Sequence, residues 1–272
     1  MEKLFILFIF YFLIVFSVIG YGNIFSLISN REYSIGEKGL NGILFLIIIS
    51  YITNFFVPHS INHNVLIIAI GWLVFSAQLI KNFKKKIKEL RIVFIIFLIL
   101  FTGLLMHKNH DDFFYYHFSY TLSLIEYKKI LGLGILNHGF RTPSSIFYLN
   151  SLFYLPYIKY FLLNSGVVFI MGFSNIIFLD KIYNQIKDKK HSFILFLSIL
   201  SFVYVNVAFY RIAEHGTDRS ALILIFLLVI TYLESLNILK KKVINDNFII
   251  YYEKIIVLLL LIISLKSFYL IY

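Results

Sequence analysis

The chain contains no cysteine. Disulfides are excluded, and any metal site has to be built from histidine or carboxylate ligands. Acidic residues are scarce, 14 against 25 Lys and Arg, which leaves a formal charge of +11. In a soluble protein that excess would suggest nucleic acid. No Gly-rich nucleotide loop, internal repeat or low-complexity linker interrupts the sequence. What fills it is apolar: 60% of 272 residues are hydrophobic, more than a soluble domain of this size needs. Bilayer is therefore the expected solvent, and the positive charge marks topology, because Lys and Arg collect in cytoplasmic connectors.

Long uncharged runs separated by short polar breaks predict an all-α, polytopic transmembrane helical bundle of about eight spans. These lie near 4–28, 40–57, 64–80, 92–106, 163–179, 192–210, 221–238 and 255–272. Each approaches the roughly 20 residues that carry a helix across about 30 Å of hydrocarbon. Helices are expected because only they, or closed barrels, satisfy their backbone in lipid. Pro156 and Lys159 interrupt the apolar segment 146–162, which is expected to be interfacial or re-entrant. The N-terminal run is long and has no small-x-small cleavage site after it, so it is expected to be an uncleaved anchor. The sequence stops at Tyr272 in an apolar run, as a natural end or a C-terminal truncation would.

Three basic connectors set the expected orientation: KNFKKKIKELR at 81–91, KIYNQIKDKKH at 181–191 and KKK at 240–242. With these in the cytoplasm, alternation places 58–63, 107–145 and 211–220 outside. Seven of the eight histidines then fall outside, together with Asp111, Asp112, Arg141, Arg211, Glu214, Asp218 and Arg219.

Three outer stretches carry the candidate chemistry. In HKNHDDFFYYHF, 107–118, two adjacent aspartates follow an apolar span. Aspartate at the bilayer centre costs roughly 2.5–3.5 kcal/mol, so Asp111 and Asp112 belong at or beyond the interface. In a helix the pair diverges, and Asp112 shares a face with Tyr115 and Tyr116. A solvated loop with aromatic anchors explains the same residues. His107 and His110 are candidate ligands of a divalent metal ion, a weak signal at HxxH spacing. Next, 119–134 reads as an amphipathic helix lying on the outer surface, with Gly132 and Gly134 as stop signals. In NHGFRTPSS, Thr142 and Pro143 read as the N-cap and first position of a helix. His138 and Arg141 beside that helix start form a phosphate cradle, or Arg141 only snorkels to lipid headgroups. Finally, RIAEHGTDRS brings His215, Asp218 and Arg219 to the same face, although Thr217 or Asp218 would also serve as a plain helix cap.

A charged Asp-Asp stretch in a long outer loop, followed by an amphipathic outer helix, resembles the GT-C class of integral membrane glycosyltransferases. More closely, HKNHDDFFYYHFSY, GLGILNHGFRTPSSIFYLNSLFYLP and YRIAEHGTDRS resemble a bacterial family of polytopic membrane proteins of GT-C-like layout. The resemblance covers roughly 107–220. It implies transfer of a sugar from a polyprenyl-phosphate donor at the outer face of the bacterial inner membrane. An outer-loop aspartate acts there as general base or metal ligand, a role that would fall on Asp111 or Asp112. Phosphate or substrate contacts would fall on His138, Arg141, His215, Asp218 and Arg219. A transporter or lipid-handling protein, and a non-catalytic membrane subunit or fragment, are the competing expectations.

Overall fold

The computed structural model describes residues 2–81, 83–106, 112–188, 192–210, 212, 217–240 and 246–267. Among them the fold is all-α, with ten α-helices in chain order. These are α1 Glu2–Ser29, α2 Ile35–Asn54, α3 Ile61–Lys81, α4 Phe83–Leu105, α5 Phe118–Glu126, α6 Ser145–Ser151, α7 Gly166–Lys187, α8 Phe193–Ala208, α9 Thr217–Lys240 and α10 Asp246–Leu265. Five are long and apolar enough to cross a membrane: α1, α2, α3, α7 and α9. The chain therefore has the make-up of an integral, multi-pass membrane protein. By contrast α8 has 16 residues, about 24 Å of helix against about 30 Å of hydrocarbon. The first turns of α4 lie within the lysine-rich connector.

α7 is the axis of the bundle, packed against α2, α4, α8 and α9. Its first thirteen residues, GVVFIMGFSNIIF, are apolar or small all round and buried at every position. A helix without a polar face has to be surrounded. α1 packs on α2 and α3, and α10 pairs with α9. Where α1, α4 and α7 meet, the Tyr11 ring stacks on Phe169 at 5.6 Å, and its hydroxyl donates to the Phe97 carbonyl at 3.1 Å.

Lipid gives helices little hydrophobic reason to associate, so close backbone contact and internal polar bonds hold the bundle. Gly20 and Gly71 bring α1 against α3, and Gly42 lies against the Val18 carbonyl of α1. Asn175 and Asn206 exchange two amide hydrogen bonds of 3.0 Å between α7 and α8. At the end carrying the basic connectors, Lys181 of α7 pairs with Glu234 of α9. Lys254 of α10 pairs with Glu37 of α2 at 2.7 Å. Lysines that read as simple topology anchors thus include an inter-helix clamp at Lys181.

The region between α4 and α7 departs most from expectation. Helix covers only Phe118–Glu126 of the expected 119–134, and Tyr127 turns extended at φ −129° and ψ 149°. Beyond it run turns and two single-turn helices, Leu133–Ile135 and His138–Phe140, with Gly132 left-handed at φ 85°. The cap read at Thr142 lies at Ser144 instead, whose Oγ accepts from Ile146 N at 3.3 Å. Of 146–162, only 146–151 belongs to an α-helix, α6, which is buried at every position. After it, Tyr157 and Lys159 take left-handed φ of 67° and 40°, which ends helical propagation.

Candidate functional site

Asp112 opens the site. The next five residues, Phe113–His117, form a single π-helical turn that runs straight into α5. π-turns widen a helix by one residue and recur where side chains are re-aimed. Here the Tyr116 hydroxyl donates to the Asp112 carboxylate. Burial first, then the negative charges of Asp112 and Asp218, raise the Tyr116 phenol above its ordinary range, so it stays protonated.

A second wall comes from the turns after α5. Asn137 caps the His138 turn, its Oδ1 accepting from Gly139 N at 2.8 Å, while its Nδ2 donates to the Tyr115 carbonyl at 3.4 Å. Gly139 lies flat on the Tyr116 ring, where a Cβ would stand 2.5 Å from Cγ, so any side chain here would push the two walls apart. Arg141 Nε reaches the Gly134 carbonyl at 3.5 Å, and the side chain is otherwise exposed.

α9 and α10 supply the third wall. Ser144 Oγ donates to the Leu265 carbonyl at 2.6 Å, and Ser145 Oγ to Ser264 Oγ at 2.9 Å. Both bonds tie the start of α6 to the end of α10. Lys266 forms an ion pair of 2.6 Å with Asp218 in the first turn of α9. The walls enclose a cavity of about 900 Å³, lined among others by Tyr116, His138, Arg141, Thr217 and Lys266. Three stretches far apart in the chain, near 112–116, 138–144 and 217–218, meet at this one end of the bundle.

The sequence candidates divide as follows. His138 and Arg141 line the cavity, and Asp112 and Asp218 reach it through Tyr116 and Lys266. Arg219 is not among the lining residues; its guanidinium stands over the Phe209 ring at 5.5 Å. Asp111, His215, His107 and His110 lie outside the described residues. The anion cradle expected at a helix N-terminus does not take that form, because α6 has seven residues and starts two positions beyond Pro143. What remains at the cavity is cationic side chains. Among the described residues no three His, Asp or Glu side chains are grouped as ligands for a metal ion.

In the sequence Lys266 is only a single lysine near the end of an apolar run. Its carboxylate partner lies 48 positions away, beyond any local pattern. His59 departs the other way. It belongs to the outer histidine set, yet it is fully buried. Its Nε2–H donates to the Ser50 carbonyl at 3.1 Å, and Nδ1 accepts from Ser151 Oγ at 2.7 Å. Burial first, and His63 second, hold its pKa at about 3, from an ordinary 6.5.

His59 therefore makes stability depend on pH. The folded pKa lies below the unfolded one, so the unfolded chain takes up a proton that the folded protein refuses. The contribution is complete above pH 6.5 and is lost as pH falls toward 3, at about 1.4 kcal/mol per unit. Melting temperatures in detergent should fall on acidification below about 6.5, and His59→Gln should flatten that slope. An unchanged slope in the variant would assign the acid sensitivity elsewhere.

Over residues 3–272 the chain matches a family described as "Domain of unknown function (DUF8201)", and it belongs to that family. No curated protein and no solved structure matches it.

Proposed function

We propose that this member of the DUF8201 family is a membrane glycosyltransferase of GT-C-like layout. It moves a sugar from a polyprenyl-phosphate donor to an acceptor hydroxyl at the outer face of the bacterial inner membrane. One observation carries the proposal: Asp112 with Tyr116, His138 with Arg141, and Thr217 with Asp218 gather around a single cavity at the bundle end opposite the Lys181–Glu234 pair.

In the proposed topology α1, α2, α3, α4, α7, α8, α9 and α10 are the eight crossings, and α5 with the turns after it covers the outer face. Positive-inside sorting puts the connectors 81–91, 181–191 and 240–242 in the cytoplasm. Reporter fusions after Asp112 and Asp188 then report opposite sides of the membrane; both in the cytoplasm would end the outer-face assignment.

The chemistry runs through the chain's own groups. The donor enters from the leaflet with its phosphate against His138 and Arg141. The bond from the sugar's anomeric carbon to phosphate oxygen breaks, and the electron pair leaves with the lipid phosphate, where the Arg141 guanidinium and an imidazole N–H of His138 stabilise the growing charge. The acceptor oxygen bonds to the anomeric carbon, and Asp112 takes its proton. Sugar transfer from a labelled polyprenyl-phosphate donor in proteoliposomes tests the assignment.

A transporter or lipid-handling function is the second reading, favoured by the paired charges Glu37–Lys254 and Lys181–Glu234 on four helices. Under it Asp112→Asn changes uptake or lipid binding rather than product formation.

A further inference from the structure

A second cavity, of about 580 Å³, lies on the far side of Arg141 and Pro143, which line both chambers. Its floor is a lysine in an aromatic setting. Lys129 Nζ donates to the Tyr120 hydroxyl at 3.2 Å and to the Tyr148 hydroxyl, and stands 5.0 Å from the Tyr148 ring centroid. Tyr51 stacks on the Tyr148 ring at 3.8 Å. Phenols solvate an ammonium group without neutralising it. Among the described residues Lys129 meets no carboxylate, and no acidic residue lines this cavity. Two cations, Lys129 and Arg141, therefore face a chamber with no counter-charge on its walls.

The rim of the chamber is apolar. It is the turn 130–136, where Leu131, Ile135 and Leu136 are 82%, 90% and 80% exposed. An aqueous loop rarely displays three such side chains together. Depth explains them. The Lys129 N–H donates to the carbonyl of Asn54, the last residue of α2, at 2.7 Å, which fixes the turn level with the end of a span. At that level an outward apolar side chain meets glycerol and acyl groups, while a lysine one residue further in meets headgroups.

The geometry points to a binding site for the headgroup of an anionic phospholipid, with Lys129 and Arg141 on the phosphate and the 130–136 turn seated in the leaflet around its chains. The site shares Arg141 with the sugar-transfer cavity, whereas Lys129 lines this chamber alone. Its occupant is a membrane lipid rather than a free anion, because an anion alone leaves Leu131, Ile135 and Leu136 in water.

The test uses the whole protein in phosphatidylcholine nanodiscs doped with spin-labelled phosphatidylglycerol. A motionally restricted lipid fraction is expected, and Lys129→Gln should weaken its binding about tenfold, with Lys129→Arg retaining it. Because Lys129 also bridges two tyrosines, Arg141→Gln provides a second reading at an exposed side chain, with the same loss expected. Soluble glycerol phosphate should not displace the lipid. If it competes at equal concentration, the free anion is the ligand and the lipid assignment is overturned. A restricted fraction unchanged in both charge-removing variants overturns the site itself. Sugar transfer measured on the Lys129→Gln samples separates the two proposals, since loss of lipid restriction there with transfer intact bears on this site alone.

Discussion

Asp112→Asn should reduce sugar transfer by about a hundredfold or more while leaving insertion and folding intact. A positioned general base contributes about 10²–10⁴ in rate, and the amide keeps the shape of the carboxylate while losing the basic oxygen pair. The Tyr116 hydroxyl can still donate to the amide oxygen, so the π-turn over Phe113–His117 keeps its anchor. Tyr116→Phe should cost far less, because it removes an orienting bond and leaves the base in place. This ordering separates a base from a structural carboxylate: if Asp112 only holds Tyr116, Asp112→Asn, which keeps that bond, is the milder of the two variants. Wild-type transfer by Asp111→Asn, Asp112→Asn and the double variant would remove the aspartate pair from the mechanism.

The second large effect is on assembly of the bundle. A Cβ on Gly20 would stand 1.8 Å from the Gly71 carbonyl oxygen, and one on Gly42 would stand 2.0 Å from the Val18 carbonyl. Both obstacles are backbone, so no rotamer change relieves them and α1 has to move off α3 or α2. Overpacking a core costs about 1–3 kcal/mol or more even where side chains can adjust. In lipid the loss is harder to recover, because close contact is most of what holds such helices together. Gly20→Val and Gly42→Val should therefore eliminate monodisperse protein in size-exclusion chromatography from mild detergent. Gly103→Ala is the control: its Cβ would meet only the flexible Cδ1 tip of Ile212, at 3.1 Å. A folded, monodisperse Gly20→Val protein would show that the α1–α3 contact is not tight.

Much of the fold class was legible in the sequence because burial in lipid is a property of composition along a single run. The run at 4–28 needs no partner to declare itself helical, and it appears as α1, Glu2–Ser29. Breakers were legible too, as at Gly132, where φ is 85°. Local capping was misplaced by two residues because Thr142-Pro143-Ser144-Ser145 offers several hydroxyls, and the bond from Ser144 Oγ to Leu265, 121 positions away, decides among them.

By itself, then, the amino-acid order determined that this protein is helical, apolar and multi-pass, and that its mixed charges cluster in a few connectors. Those are sums over neighbouring residues, and a sum needs no coordinates. Which connectors meet, that Lys266 takes Asp218, that His59 is interior while His138 faces a cavity, and that Lys129 sits among tyrosines were decided only in three dimensions. The reason is geometric. Apolar helices of similar length can neighbour one another in many lateral orders at nearly equal cost in lipid, and the choice rests on glycine contacts and buried polar bonds between residues far apart in the chain, 31 positions for Asn175–Asn206 and 121 for Ser144–Leu265.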